Sequence, residues 1–329
     1  MEIAHEYEKY KATKNTLQSV LDQYGVAIIP NVIDEKECEE MKKGMWNYLE
    51  HITQNADKKI LENDKNTWKN ISSLFTKHSM LIQQWGVGHA QYAWDLRQKE
   101  KIVNIFAKLW NCEKEDLLVS FDGLSFHMPP EITGEGWYKN NGWLHTDISY
   151  TRSDEKSIQS WITANDVNNG DATLTVLESS HLYHKEFGEH FGITDKSDWY
   201  VIDKNKDNDE EMKFYKDKGC VQKYIKCPKG SMVFWKSQTI HSGIEAIKTR
   251  EKENIRCVSY LCYVPRNMAT ERDLRKKIKA FETLRTTSHY PHKIKMFPKI
   301  PRTYGSPVPN ITDVPKPILT DLGKKLAGL

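Results

Sequence analysis

Residues 141–150 read NGWLHTDISY and carry a His-x-Asp pair, His145 and Asp147. On a strand, side chains two apart share a face, so an imidazole and a carboxylate here can be aimed at one point. A second histidine, His241 in FWKSQTIHSG, follows a turn and an apolar run, Pro228-Lys-Gly-Ser-Met-Val-Phe-Trp235, that can carry it back to the same place. Two histidines and one carboxylate on one face of an octahedron leave the other positions open, the arrangement of non-haem Fe(II) oxygenases. A plainer reading uses the same residues: a buried Asp–His hydrogen bond and an unrelated histidine. Spacing alone leaves both open.

Three residues so far apart in the chain need a scaffold of strands. Short runs with strand character lie at 117–126, 143–150, 157–167, 172–177, 231–235, around Ile240, and at 255–264, separated by turn residues such as Asn168-Asn169-Gly170-Asp171. That pattern predicts a mainly β fold with flanking helices (α+β), a jelly-roll sandwich. Ahead of it, residues 1–24 read as a polar helix and 25–30 as a short apolar strand. Asp34 with Glu37 forms a capping box for a helix to about His51, burying Cys38, Met41, Met45 and Tyr48. Residues 52–90 are polar and irregular. A helix over 90–110 places Ile102, Ile105, Phe106 and Leu109 on one stripe. Loop 128–142 and the charged excursion 182–217 interrupt the strands. After them Thr270 opens a helix with Leu274, Ile278, Phe281 and Leu284 as its buried stripe. The stretch 297–317, with six of the twelve prolines, is an extended strap, and a short helix near 319–326 follows. The expected organisation is one domain: a helical lead-in (about 1–110), a β-core (about 115–265) and a C-terminal helix with its strap (about 268–329).

Composition narrows the function classes. The chain of 329 residues has 38% hydrophobic and 11% aromatic residues, which excludes a disordered protein. Net charge is +3, but residues 271–302 hold ten Lys/Arg against three Asp/Glu. Such a segment either faces an anionic substrate or is a solvated helix face. It carries no nucleic-acid-binding motif, which ranks nucleic acid low as a partner. No apolar run is long enough to span a membrane. The six cysteines form no C-x-x-C pair, and several sit in apolar runs as buried thiols do. With no signal peptide and no peroxisomal tripeptide at the end, a cytoplasmic, reducing location is expected. Neither G-x-S-x-G nor H-E-x-x-H is present to support a hydrolase.

Trp143-Leu-His-Thr-Asp147, Asn169-Gly-Asp-Ala-Thr-Leu-Thr-Val-Leu177 and Lys229-Gly-Ser-Met-Val-Phe-Trp235 through His241-Ser-Gly243 occur in an order that resembles the phytanoyl-CoA dioxygenase-like family, over roughly residues 25–264. The resemblance implies a double-stranded β-helix (cupin-like) core and an Fe(II)- and 2-oxoglutarate-dependent dioxygenase. It implies His145, Asp147 and His241 as iron ligands, with open positions for 2-oxoglutarate and O2. Related halogenases lack the carboxylate, so Asp147 implies hydroxylation of an unactivated C–H, with release of succinate and CO2. A buried cation is expected for the distal carboxylate of 2-oxoglutarate, and Arg suits it because its fork matches a carboxylate. Arg256, opening an apolar strand, is preferred over Arg250 in the charged run TREKEN. Trp161 and Ser242 are expected beside the cosubstrate, with Ser259 a further hydroxyl. Trp143, Tyr150 and His127 are expected at the substrate pocket, near Trp137 and Tyr138. The family's usual Pro-Gly-Ser-His turn is replaced here by Glu178-Ser179-Ser180-His181. His181 with His184, and His289 with His292, read as surface or loop residues. The expected substrate is a small molecule, anionic if the basic segment faces the site. The alternatives are a nucleotide- or nucleic-acid-modifying oxygenase and a non-catalytic cupin-like binding protein.

Overall fold

A computed structural model describes residues 4–139, 143–202 and 210–329. Asn141 and Gly142 of the central motif, and 203–209 of the charged excursion, lie outside the described residues. In chain order the strands are β1 (His5–Glu6), β2 (Val26–Ile29), β3 (Leu81–Ile82), β4 (Leu117–Val119), β5 (Leu124–His127), β6 (His145–Thr146), β7 (Ile158–Thr163), β8 (Thr173–Leu177), β9 (Tyr200–Val201), β10 (Gln222–Ile225), β11 (Met232–Lys236), β12 (His241–Ile244), β13 (Arg256–Tyr260) and β14 (Tyr263–Pro265). They build two six-stranded sheets, β1-β10-β8-β12-β6-β9 and β2-β11-β7-β13-β5-β3, with β4 and β14 as a separate pair. From β5 to β8, and again from β10 to β13, consecutive strands fall alternately in one sheet and the other, which is the double-stranded β-helix. The helices are α1 (Leu17–Tyr24), α2 (Glu35–Thr53), α3 (Gln91–Arg97), α4 (Glu100–Trp110), α5 (Pro130–Thr133), α6 (His184–His190), α7 (Glu210–Asp217), α8 (Glu271–Glu282) and α9 (Asp321–Ala327).

Strand alternation divides the interior in two. Met232 and Phe234 of β11, Ile158 and Ile162 of β7, Cys257 of β13 and Phe126 of β5 face outward, into one core with α2, α3 and α4. Their neighbours Val233, Trp235, Trp161 and Val258 face inward, against Leu174 and Val176 of the other sheet. Burying each such side chain stabilises the fold by about 1.5–3 kcal/mol. The helix-covered face of the second sheet is therefore mainly apolar, with Ser160 and Ser259 as buried exceptions, while its inward face can carry polar groups.

The capping box of α2 is present, with Asp34 accepting from Glu37 N and Glu37 from Asp34 N, and Cys38, Met41, Met45 and Tyr48 are buried as read. Other elements are more broken than periodicity predicts. The 90–110 helix divides because Lys99 is extended (ψ 114°). The Gln98 side chain there receives the strap, accepting from Thr320 N at 2.8 Å. The 117–126 strand divides at Gly123, where a Cβ would stand 2.5 Å from the carbonyl oxygen of Ile82. Among the described residues up to Tyr24 only α1 and a single 3-10 turn at Glu8–Tyr10 are helical. The stripe of α8 is rotated from the expected one: Lys277, Ala280 and Phe281 are its buried residues. Lys277 donates to the Val119 carbonyl and lies over the Phe121 ring. Five of the six cysteines are buried and all are free. No helix among the described residues is long and apolar enough to cross a membrane.

Candidate active site

β6 and β12 are neighbours in the first sheet, and their register sets His145 directly opposite His241. Directly opposed residues on one face are the closest cross-strand pair a sheet offers, and the two imidazole centroids are 4.5 Å apart. β6 is only two residues long, so Asp147 lies just past the ladder. Its N–H donates to the Ser237 carbonyl at 3.0 Å, which turns the carboxylate back toward both rings. Asp147 Oδ1 is 3.5 Å from His145 Nε2, and Oδ2 is 3.3 Å from His241 Nε2. Among the described residues these three form the one group of His, Cys, Asp and Glu whose ligand atoms all lie within 4.8 Å of one another.

Each ring's other nitrogen is committed. His145 Nδ1 pairs with the Trp143 carbonyl and His241 Nδ1 with the Thr239 carbonyl, both at 2.9 Å. A carbonyl oxygen only accepts, so each Nδ1 carries the hydrogen and each Nε2 turns a lone pair inward. Burial lowers the pKa of His241, and His145 beside it adds to the effect, so the neutral ring is favoured. Burial by itself would raise the pKa of Asp147, but the neighbouring His145, His289 and His241 imidazoles outweigh it and hold the carboxyl well below its usual range. Two imidazole lone pairs and an anionic carboxylate that converge in this way repel one another unless a cation lies between them. The donor set therefore fits a divalent metal with nitrogen and oxygen ligands. The carboxylate is held in turn by Gln159, whose Nε2 donates to Oδ2 at 2.9 Å and to Ser237 Oγ at 3.2 Å.

The facing sheet supplies a cation. Arg256 opens β13 on the same face as Val258 and Tyr260, and it is 6% exposed. Its Nε donates to Ser125 Oγ at 2.9 Å and its Nη1 to the Ala172 carbonyl at 3.2 Å. The guanidinium lies 5.3 Å from the Trp161 ring, and burial raises the pKa of Tyr260 beside it, against the opposing influence of Arg256. Among the described residues no carboxylate pairs with Arg256. Trp161 Nε1 nearby is a buried donor with no acceptor among the described residues. An uncompensated cation beside an orphaned N–H fits the carboxylate of a bound organic acid. Arg250 is occupied: it pairs with Glu131 at 2.7 Å and Asp171 at 3.1 Å. The Gly170 turn, at φ +82°, packs against its Cβ where a side chain would not fit.

Several expected residues lie elsewhere. Ser242 is on the opposite face of β12 from His241, in register with Thr175; period two turns it away from the interior. Ser259 alternates out of the same space. Tyr150 is buried in a separate aromatic cluster, stacked on His184 at 4.2 Å and Phe187 at 4.9 Å. His127 spends both nitrogens on backbone, Nδ1 on the Ser79 carbonyl and Nε2 on Ala246 N–H. Trp137 lies under Arg250. His181 and His184 bond separately, to the Asp22 carbonyl and to Ser153 and the Ile148 carbonyl. Trp143 is at the site: its ring stacks on His145 at 4.5 Å and on His78 at 4.3 Å, and its N–H reaches the Gly243 carbonyl.

Gln159, Tyr260 and Ser125 share strand faces with Trp161, Arg256 and His127, so a period-two count from those residues would have found them. Trp199, 54% exposed with its ring 5.9 Å from His145, comes from the charged excursion, where no pattern points to the site. Tyr290, whose hydroxyl donates to the Asp147 carbonyl, and its neighbour His289 come from a segment read as loop.

The sequence model of the family described as phytanoyl-CoA dioxygenase (PhyH) matches residues 21–247. The Ava biosynthesis cluster protein O of Aspergillus versicolor is 25% identical over 273 residues, 82% of this chain and 83% of that protein. Among solved structures, the hypothetical protein JW0805 of Escherichia coli superposes with a TM-score of 0.58 at 14% identity, covering 97% of this chain and 85% of that one. The GlcNAc inducible gene 2 protein of Candida albicans gives 0.50 at 14% identity, over 82% and 67%. The chain belongs to the phytanoyl-CoA dioxygenase family of Fe(II)- and 2-oxoglutarate-dependent oxygenases.

Proposed function

We propose that the protein hydroxylates an unactivated C–H bond of a small molecule bearing an anionic group, with His145, Asp147 and His241 as the iron ligands and Arg256 as the clamp for 2-oxoglutarate. The observation that carries this reading is the convergence of three lone-pair atoms whose orientations are already fixed by Trp143, Thr239 and Gln159. With iron(II), 2-oxoglutarate and O2 bound, the centre supplies oxidation of the C–H bond to the alcohol, with the keto acid leaving as succinate and CO2. The chain's own residues do the rest. Arg256, with Tyr260 and Ser125 behind it, receives the distal carboxylate, and the Trp161 N–H is available to an oxygen of the same molecule. Gln159 and Ser237 keep the Asp147 carboxylate turned to the histidines, because a ligand free to rotate binds metal more weakly. The Trp143 ring covers one side of His145 and excludes water from it.

The anionic substrate group is supported by the mouth. Lys77 adjoins His78, the outer ring of the His78–Trp143–His145 stack. Burial and then Lys295 lower the Lys77 pKa. Neither has a carboxylate partner among the described residues. Arg272, Arg275, Lys276 and Lys279 of α8 are exposed to solvent, so the basic helix faces water.

The test is incubation of the purified protein with iron(II), ascorbate, 2-oxoglutarate and a metabolite extract, with His145→Ala as the blank. Mass spectrometry should find succinate above the blank and an acidic metabolite replaced by a product heavier by one oxygen atom. No succinate above the blank would refute the reading.

A further inference from the structure

Beyond α8 the chain turns back on itself over residues 286–297. An antiparallel bridge joins Thr287 to Met296, and Ser288 N–H donates to the Lys295 carbonyl at 2.8 Å. This hairpin lies outside residues 21–247, the part matched by the family model. Its base is tied to the β4–β5 connection, where Phe121 N–H donates to Thr287 Oγ1 at 3.1 Å. Its tip is tied to the metal centre itself, through the Tyr290 hydroxyl and the Asp147 carbonyl.

That attachment fixes the position of the adjacent residue, His289. Its ring packs on that of Tyr290 at 4.3 Å, near enough to Asp147, His241 and His145 for all three to act on it electrostatically. Its Nε2 is buried and has no hydrogen-bond partner among the described residues. A buried polar atom left unpaired is costly, and native proteins rarely tolerate one without a use. His289 is not a fourth member of the ligand set, because the atoms within 4.8 Å of one another come from the other three residues. It therefore stands one layer out from those three. What occupies for longest the positions that they leave open is the keto acid, whose carboxylate and keto oxygens are acceptors.

We propose that His289 lies beside those open positions as a further cosubstrate-binding residue, its Nε2–H donating to an oxygen of 2-oxoglutarate held beside His145, Asp147 and His241. This rests on the function proposed above. The hairpin thus adds to the site a contact that the β-core does not contain, and Tyr290 is the positioning residue that seats it.

The test is calorimetry without O2, using Mn(II) as a redox-silent metal and 2-oxoglutarate as the titrant, on the full chain and on His289→Leu and His289→Gln. A hydrogen bond to a charged acceptor accounts for a change of about ten-fold or more in affinity. The wild type should bind 2-oxoglutarate only with Mn(II) present. His289→Leu should weaken that binding at least about ten-fold with Mn(II) affinity unchanged, and His289→Gln, which keeps an N–H donor, should recover most of the loss. Equal binding by His289→Leu and wild type would overturn the inference. So would equal losses in the Leu and Gln variants, or a parallel loss of Mn(II) affinity, since those mark a structural role. A wild type that binds no 2-oxoglutarate with Mn(II) present would instead overturn the proposed function, and the inference with it.

Discussion

Replacing Arg256 by methionine separates the two arginines that the sequence left in competition. Among the described residues Arg256 has polar but no anionic partners: Ser125 Oγ and the Ala172 carbonyl. Its removal deletes a buried charge without stranding an opposite one, so stability to urea should change by no more than about 1 kcal/mol. Affinity for 2-oxoglutarate should fall much further. One or two charge-assisted hydrogen bonds to a carboxylate contribute about 3 kcal/mol in total, which is roughly a 150-fold rise in Kd. Arg250→Met should do the reverse. Its side chain is 1% exposed and pairs with Asp171, itself 6% exposed, and with Glu131. Losing it strands a buried carboxylate, at about 3–5 kcal/mol of stability, while the folded fraction keeps its affinity. The assay is anaerobic calorimetry with the Mn(II)-loaded protein, beside urea unfolding. Wild-type affinity in Arg256→Met, or lost affinity in a fully folded Arg250→Met, would refute the reasoning.

Gln159→Leu frees one oxygen of Asp147 and should weaken metal binding about 10–100-fold, read by competition with a chromophoric chelator; an unchanged affinity would show that Asp147 needs no such support. Tyr150→Ala should cost about 3–5 kcal/mol, by emptying an aromatic core, whereas Tyr150→Phe should leave succinate formation intact, since the ring lies away from the metal group. Glu37 gives a pH signature. Burial would raise its pKa, but Lys101, Lys99 and the Asp34 N–H bring it from 4.5 down to about 2. A carboxyl depressed in the folded state stabilises fully above its unfolded pKa and loses that contribution as pH falls through the folded one. Glu37→Gln should therefore cost about 1 kcal/mol near neutrality, with the difference from wild type closing between about pH 4.5 and 2 in urea titrations.

The metal group was legible because strand period and motif order both constrain it. His145 and Asp147 are two apart, and β12 returns His241 into direct register. The burial of Arg256 was legible by a different route: a charge opening an apolar strand is carried inside, and among the described residues no carboxylate pairs with it. What failed were residues chosen by type and proximity in sequence. Ser242 adjoins His241, but alternation turns it outward. Tyr150 lies near Asp147 in sequence, yet the chain leaves the ladder after Thr146 and carries the ring into another cluster. His289 and Tyr290 could not be placed, because their position depends on a hairpin closing over the sheet more than 140 residues after the motif it touches. The polarity of SHYPHK reads as loop wherever it lands.

The central claim is that His145, Asp147 and His241 share one metal ion and leave it open to a keto acid. The most direct measurement is a crystal structure of the protein with Mn(II) and 2-oxoglutarate, prepared without O2. It should show one ion bound by both Nε2 atoms and the Asp147 carboxylate, with the keto acid completing the site and its far carboxylate on Arg256. An ion bound elsewhere, or a keto acid that does not touch it, would contradict the account.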